Sequence, residues 1–241
     1  MGARMPEINF DEYVGEYRNI INQVSRISGE QFEFFIQLRL QLMKSRVFEQ
    51  FQSLNKIRIL DFGCGAGATE IYLKETFPEA SIYAIDSSAQ SIRAARERNI
   101  EGVEFIHSDA FELPFPDSYF DLIYSNGTFH HIPPLHHKKI ISEISRICRV
   151  GGNFFIFENN PKNPLMMRAM RNNPFDADAI VVRPYMLKRI TAIAGFVQKE
   201  VCYYFFFPKF LRFLRFSEKW LSSIPLGAQY FYWSIKQPTT N

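Results

Sequence analysis

Residues 60–67 read LDFGCGAG, and this stretch decides how the rest of the chain is read. An aliphatic run, IRILDF at 57–62, meets an aspartate, and glycines at 63, 65 and 67 then alternate with other residues. A glycine turn between a strand and a helix lets a ligand come close to the backbone. A loop built for phosphate would rather carry a lysine at its mouth, so Asp61 points to a different kind of ligand.

Working outward, the apolar pattern alternates. SIYAID (81–86), VEFIHS (103–108), FDLIYSN (120–126) and NFFIFE (153–158) read as strands, and 69–77, 89–99 and 136–149 as helices. Ile140, Ile141, Ile144 and Ile147 fall on one side of the last helix, and Gly151 and Gly152 stand at its C-terminus. Such alternation, with near-continuous apolar strands, means a parallel sheet covered on both faces. Upstream, residues 8–49 read as helical, with Gly29 separating two helices. Phe32, Phe35, Ile36, Leu40, Met43 and Val47 recur there at three- and four-residue intervals. Downstream, 184–194 is a helix behind Pro184, FVQKEVCYYFFF (196–207) a long strand, 208–223 a helix and AQYFYWSIK (228–236) a last strand. That ending places strand seven antiparallel inside the sheet. The expected fold class is α/β: a Rossmann-like seven-stranded sheet, mostly parallel with an antiparallel last strand, helices on both faces and an N-terminal helical cap.

At 241 residues the chain can bury a full core. No window approaches the roughly 18 uncharged apolar residues of a membrane span. The start, MGARMPEINFDEY, lacks the apolar core of a signal peptide, so a cytoplasmic location is expected. Cys64, Cys148 and Cys202 form no CxxC pair, which argues against a disulfide framework or a zinc knuckle. The net charge of +3 hides an asymmetry, because residues 162–219 carry 11 Lys/Arg against 4 Asp/Glu. The same segment holds YYFFFPKFLRFLRF, so the basic third is also aromatic and suits an anionic or amphipathic partner.

Gly63, Gly65 and Gly67, followed by Ala68, match GxGxG and equally the dinucleotide pattern GxGxxA. Asp86 ends the second strand, where a carboxylate can accept hydrogen bonds from both ribose hydroxyls; that fits NAD as well. Two acids separate the cases. Asp61 would repel a pyrophosphate but suit a cationic amine, and Asp109, in HSDAFELPF, can accept from an adenine exocyclic amine. The ligand reads as an adenosine with a positively charged tail and no phosphate, which S-adenosylmethionine fits.

On these residues, and on FELPFPDSYFDLIYSNGTFHHI at 111–132, the chain resembles the class I S-adenosylmethionine-dependent methyltransferases, in the branch acting mostly on small molecules and lipids. The resemblance covers roughly 57–160 by motif and continues to 237 by order of elements. It implies a single domain over 1–241: a cap at 1–50, a cofactor-binding core at 57–160 and acceptor-side elements at 161–241. It implies that Asp86, with Ser87 beside it, binds ribose, and that Asp109, with Ala110, binds adenine. The backbone at Gly63, Cys64 and Gly65 would lie under the ribose and methionine tail, with Asn126 or Gly127 near the methionine amine. N-terminal tyrosines such as Tyr13 and Tyr17 cover the cofactor in related enzymes, or simply pack on the core. One departure matters. Enzymes that methylate exocyclic amines of bases carry an Asn/Asp-Pro-Pro-aromatic motif after strand four, where this chain reads SNGTFHH, so adenine or cytosine N-methylation is disfavoured.

Methyl transfer from a sulfonium is an in-line displacement in which positioning and desolvation do much of the work. An oxygen or carbon acceptor can still need a base. His130 and His131 follow strand four and border the methyl group in related enzymes; one reads as that base, His130 ahead, or as a packed loop residue. The cluster HHIPPLHH (130–137) invites a metal reading, but no carboxylate or cysteine stands at ligand spacing, so no metal is expected. Glu158 ends strand five at the same edge, able to orient substrate or to cap the turn after it. Residues 209–221, KFLRFLRFSEKWL, read as a basic amphipathic helix with Lys209, Arg212, Arg215 and Lys219 on one face and Phe210, Phe213, Leu214 and Leu221 on the other. It suits peripheral contact with an anionic membrane, or equally packs its apolar side on the domain. The leading expectation is methylation of a small or lipid-like acceptor, at oxygen. RNA or protein methylation and a non-catalytic cofactor-binding protein are the alternatives, and nucleic acid is disfavoured by the lack of an appended module or base-clamping motif.

Overall fold

The computed structural model describes residues 28–50, 56–176 and 178–238. Tyr13 and Tyr17 lie outside these residues, as does the first of the two expected N-terminal helices. The elements run α1 (Phe32–Gln50), β1 (Arg58–Phe62), α2 (Glu70–Thr76), β2 (Ser81–Asp86), α3 (Ala89–Glu97), β3 (Val103–His107) and β4 (Phe120–Asn126). A 3-10 turn (Phe129–His131) leads into α4 (Pro134–Ile147) and β5 (Cys148–Asn159). Then come α5 (Pro164–Arg171), a second 3-10 turn (Pro174–Asp176), α6 (Pro184–Ile193) and β6 (Phe196–Tyr204). A 3-10 segment (Lys209–Ser217), α7 (Glu218–Leu221) and β7 (Gln229–Lys236) close the order.

The seven strands form one sheet in the order β3-β2-β1-β4-β5-β7-β6, with β7 antiparallel to both of its neighbours. The expected architecture is the one observed. Period-two alternation sorts the strand side chains onto two faces. Leu60, Ile123, Phe154, Ile156, Tyr230 and Tyr232 pack with Ile140, Ile141, Ile144 and Ile147 of α4 and Leu187 of α6. Ile59, Leu122, Phe155, Phe157 and Phe231 point the other way, onto Leu40, Met43 and Val47 of α1 and Leu73 of α2. Each such fully buried side chain stabilises the fold by about 1.5–3 kcal/mol.

Three expectations change. Gly151 and Gly152 do not end a helix. They lie inside β5, which starts at Cys148, opposite a register shift between Phe120 and Leu122. A Cβ at Gly152 would come within 2.7 Å of Cys148 Sγ and 3.1 Å of the Phe120 carbonyl, so the bulge needs a glycine. The expected amphipathic helix over 209–221 is a run of 3-10 turns, non-helical at Leu211, followed by a short α7. Its cause is tertiary: the Glu218 carboxylate accepts from the backbone of Phe205, Phe206 and Phe207, and Arg215 donates to the Phe207 carbonyl, so the segment curls around its own entry. Finally, α5 and the turn after it were not expected; Asn163 caps α5 by accepting from the Met166 backbone. This stretch returns to the sheet edge through Ile180, whose N–H donates to the His130 carbonyl at 2.7 Å, and through Val182, whose carbonyl accepts from Tyr230.

Candidate active site

The carboxyl ends of β1, β2, β4 and β5 meet at one edge, the place where ligands bind in sheets of this kind. The glycine loop leaves β1 there and is tied to β2, with the N–H groups of Gly63 and Cys64 both donating to the Ile85 carbonyl. Gly67 is required by packing: a Cβ would meet Ala95 of α3 at 2.9 Å and Phe105 of β3 at 3.0 Å. Gly65 differs. Its φ is +54° and nothing lies within 4 Å of where a Cβ would be, so its bare backbone faces open space at the crevice.

Asp61 is the register partner of Tyr124 across β1 and β4, and the Tyr124 hydroxyl donates to it at 2.5 Å. Asp61 is 3% exposed, and Glu70, at the start of α2, is fully buried and hydrogen-bonded to it. Burial pushes the Asp61 carboxyl up to about 6; the bonds from Glu70 and Tyr124 and the nearby Arg39 oppose the rise, and the charge of Asp86 adds to it. Burial and the Asp61 charge hold Glu70 well above the usual carboxylate range. Two buried acids side by side at a glycine loop make a site whose ionisation a nearby cation favours.

Asp86 closes β2 with both oxygens engaged. Oδ2 accepts from the Gly65 backbone and Oδ1 from that of Ser88, each at 2.8 Å. Burial raises this carboxyl, and those two bonds counter it. Ser87 is exposed beside it, with its carbonyl 3.0 Å from His107 Nε2. Asp109 is exposed after β3, its Oδ1 accepting from the backbone of Phe111 and Glu112, with Ala110 half-buried next to it. Asn126 ends β4, half-buried, opposite Phe157 of β5. The Cys64 thiol is raised by burial and packs toward Ala84 and Ile92, so it is no nucleophile. The structure thus brings Asp61, the glycine loop, Asp86 and Asn126 to one edge, with Asp109 beyond β3. It also adds Glu70 and Tyr124, which sequence patterning could not pair with Asp61 before the β1–β4 register was known.

His130 and His131 lie on the 3-10 turn after β4. His137 of α4 fixes that turn by donating from Nε2 to the carbonyls of Phe129 and Ile132, a structural role within the HHIPPLHH cluster. His130 is 4% exposed. Its Nδ1 sits 2.6 Å from Glu158 Oε2 and its Nε2 3.3 Å from Asp176 Oδ1. Burial alone would lower this imidazole, but the charge of Glu158 and the bond to Asp176 carry it up to about 10. With no ion between them, the two carboxylates favour the protonated imidazole. His131 is the opposite case: burial and the neighbouring His130 push it down to about 3, with Asp176 opposing. The absence of a carboxylate near these histidines in sequence was misleading, because Glu158 and Asp176 arrive from β5 and from the turn after α5.

Comparisons with known proteins bear on this geometry. Residues 59–152 match a family model described as a methyltransferase domain. A fatty-acid O-methyltransferase of Mycolicibacterium smegmatis is 35% identical over 120 residues, 48% of this chain and 43% of that protein. A phthiotriol/phenolphthiotriol dimycocerosates methyltransferase of Mycobacterium ulcerans is 31% identical over 109 residues, 45% of this chain and 40% of that protein. The match therefore spans less than half the length of either relative. Among solved structures, a possible histamine N-methyltransferase from Thermotoga maritima aligns with a TM-score of 0.66 at 20% identity, covering 95% of this chain and 98% of its own. The [4+2]-cyclase SpnF aligns with a TM-score of 0.65 at 16% identity, over 98% and 99%. The fold alone therefore names no reaction. Residues 59–152 thus match a methyltransferase domain, and the acids of the glycine loop and of the β2 and β3 ends all lie within that span.

Proposed function

We propose that this protein transfers a methyl group from S-adenosylmethionine to an oxygen of a lipid-like acceptor. The observation that carries the reading is the buried pair Asp61 and Glu70 beside the open backbone of Gly65. That site suits a cationic amine and rejects a pyrophosphate. When bound, the cofactor supplies a methyl group already activated by a positively charged sulfur. Asp61 would hold the ammonium of its tail, Asp86 and Ser87 the ribose, Asp109 and Ala110 the adenine side, and Gly63, Cys64, Gly65 and Asn126 the ground between. The chain's own part is then to orient the acceptor and to exclude water. His130 and His131 stand at the acceptor side of the edge, with Glu158 fixing the His130 ring. The domain is read as one unit, with 57–160 holding cofactor and the later elements forming the acceptor side.

The lipid-like acceptor is supported by the names of the two relatives and by the surface around 209–226. Phe210, Phe213, Phe216, Trp220 and Leu226 are exposed there, among the exposed cations Lys209, Arg212 and Lys219. An anionic membrane surface matches aromatic side chains set among cations. Arg215 is not part of this face: it pairs with Glu30 at 2.9 Å and lies over the rings of Phe34 and Phe205. The test is calorimetry with S-adenosylmethionine and with NAD, followed by mass spectrometry of fatty acids and hydroxylated lipids incubated with enzyme and cofactor. Binding of the sulfonium and a mass gain of one methyl on a lipid oxygen are expected. Tight NAD binding without a response to the sulfonium overturns the cofactor reading. Methylation of RNA or protein alone overturns the acceptor.

A further inference from the structure

The turn after β4 and the turn after α5 converge on a single oxygen. Asp176 Oδ2 is held by the side-chain amide of Asn173 at 2.8 Å. Its Oδ1 faces two imidazoles, 3.3 Å from His130 Nε2 and 3.8 Å from His131 Nε2. One ligand atom from each of the three residues lies within 4.8 Å of the others. Behind the rings stand two further carboxylates, Glu158 at 2.6 Å from His130 Nδ1 and Asp178 at 3.9 Å from His131 Nδ1. Each imidazole thus has a carboxylate on its Nδ1 side and turns Nε2 to the shared oxygen.

We propose that His130, His131 and Asp176 bind a divalent transition-metal ion of the zinc type. Imidazole and carboxylate donors suit such ions, and two histidines with one carboxylate leave a coordination position open. With metal–ligand bonds of about 2.0–2.1 Å, neighbouring ligand atoms of a tetrahedral site lie about 3.3 Å apart; the His130 separation to Asp176 matches at 3.3 Å, and the His131 ring at 3.8 Å would move inward on binding. Carboxylates behind the Nδ1 atoms are what fixes ring orientation and tautomer in metal sites. The charge count agrees, since three carboxylates converge on two histidines. Glu158 Oε1 is also buried with no hydrogen-bond partner among the described residues. Such an ion staples the Pro174–Asp176 turn to the end of β4. The site goes beyond the methyl-transfer reading and its test does not depend on it.

The experiment is calorimetric titration of chelator-treated protein with zinc sulfate, repeated with cobalt(II) chloride to follow visible absorption of the bound ion. Saturable binding of one ion per chain is expected, with a rise in melting temperature. Asp176→Asn and His131→Ala should each weaken binding by more than about 100-fold, and Glu158→Gln by roughly 10- to 100-fold. Circular dichroism establishes that each variant is folded, and Asp176→Asn, the same size as the native residue, serves where His131→Ala is not. Wild-type protein that shows no saturable binding of either ion, or binding unchanged in folded Asp176→Asn, overturns the proposal.

Discussion

Asp61 offers the most demanding test of the cofactor site, because its cost to the free protein and its use to the ligand are the same quantity. A carboxyl raised from 3.8 to about 6 is held off ionisation by about 3 kcal/mol. The folded state binds this proton more tightly than the unfolded chain does. Its contribution to stability is therefore fully present below about pH 4 and is lost as pH rises through about 6. A cationic amine docking on Asp61 needs the ionised form. At pH 5 only about one molecule in ten has it, so affinity for S-adenosylhomocysteine, which carries the same ammonium, should be roughly 10-fold weaker at pH 5 than at pH 7. Calorimetry in buffers of different ionisation enthalpy should show proton release at pH 5 and little at pH 7. Asp61→Asn keeps an acceptor for Tyr124 and removes the charge. It should raise the melting temperature of the free protein at pH 7.5 by several degrees, weaken ligand binding and flatten the pH profile. An affinity in wild-type protein that stays level between pH 5 and 7 would refute the reasoning, since it would mean that Asp61 does not meet the cation.

Three other outcomes are expected. Gly65→Ala meets no clash, so left-handed strain should cost only about 1–2 kcal/mol in denaturant melts, while cofactor affinity falls much further; Gly67→Ala, pressed on Ala95 and Phe105, should invert that ranking. Asp86→Ala should weaken cofactor binding by about 1.5–3 kcal/mol in calorimetry, and an unchanged constant would remove it from the ribose site. Reversing Lys209, Arg212 and Lys219 to Glu should abolish sedimentation with anionic liposomes and leave the melting temperature in place, whereas Arg215→Ala should lower stability through loss of its Glu30 pair; sedimentation that survives the triple change would end the membrane reading.

The parts legible in the sequence are those with local causes. Strand and helix periods, the glycine loop and the acids closing β2 and following β3 each show within a few residues of themselves. Even the antiparallel β7 could be read, from the order of elements. What was hidden depends on partners distant in the chain. Tyr124 bonds Asp61 only because β4 lies beside β1 in one register. Asp176 reaches His130 through a stretch with little helical pattern, held by an asparagine and a backbone bond. The 209–221 segment carries helical spacing, yet Glu218 draws its entry backbone into another conformation. Local propensity loses here because a half-buried carboxylate offers three N–H groups a better partner.

The position of β7 has a consequence for synthesis. It is the last of the seven strands to leave the ribosome, but it lies in the interior of the sheet, between β5 and β6. Until residues 229–236 emerge, β5 presents an unpaired edge along Phe154, Phe155, Ile156 and Phe157, and β6 has no neighbour to hold it. A nascent chain paused there can form the β3-β2-β1-β4-β5 half but exposes a long aromatic edge, the kind of surface that pairs with other chains. Completion is thus an insertion into a waiting slot rather than an addition at a margin. Pairing of β7 on both sides is the step that covers the aromatic edge of β5.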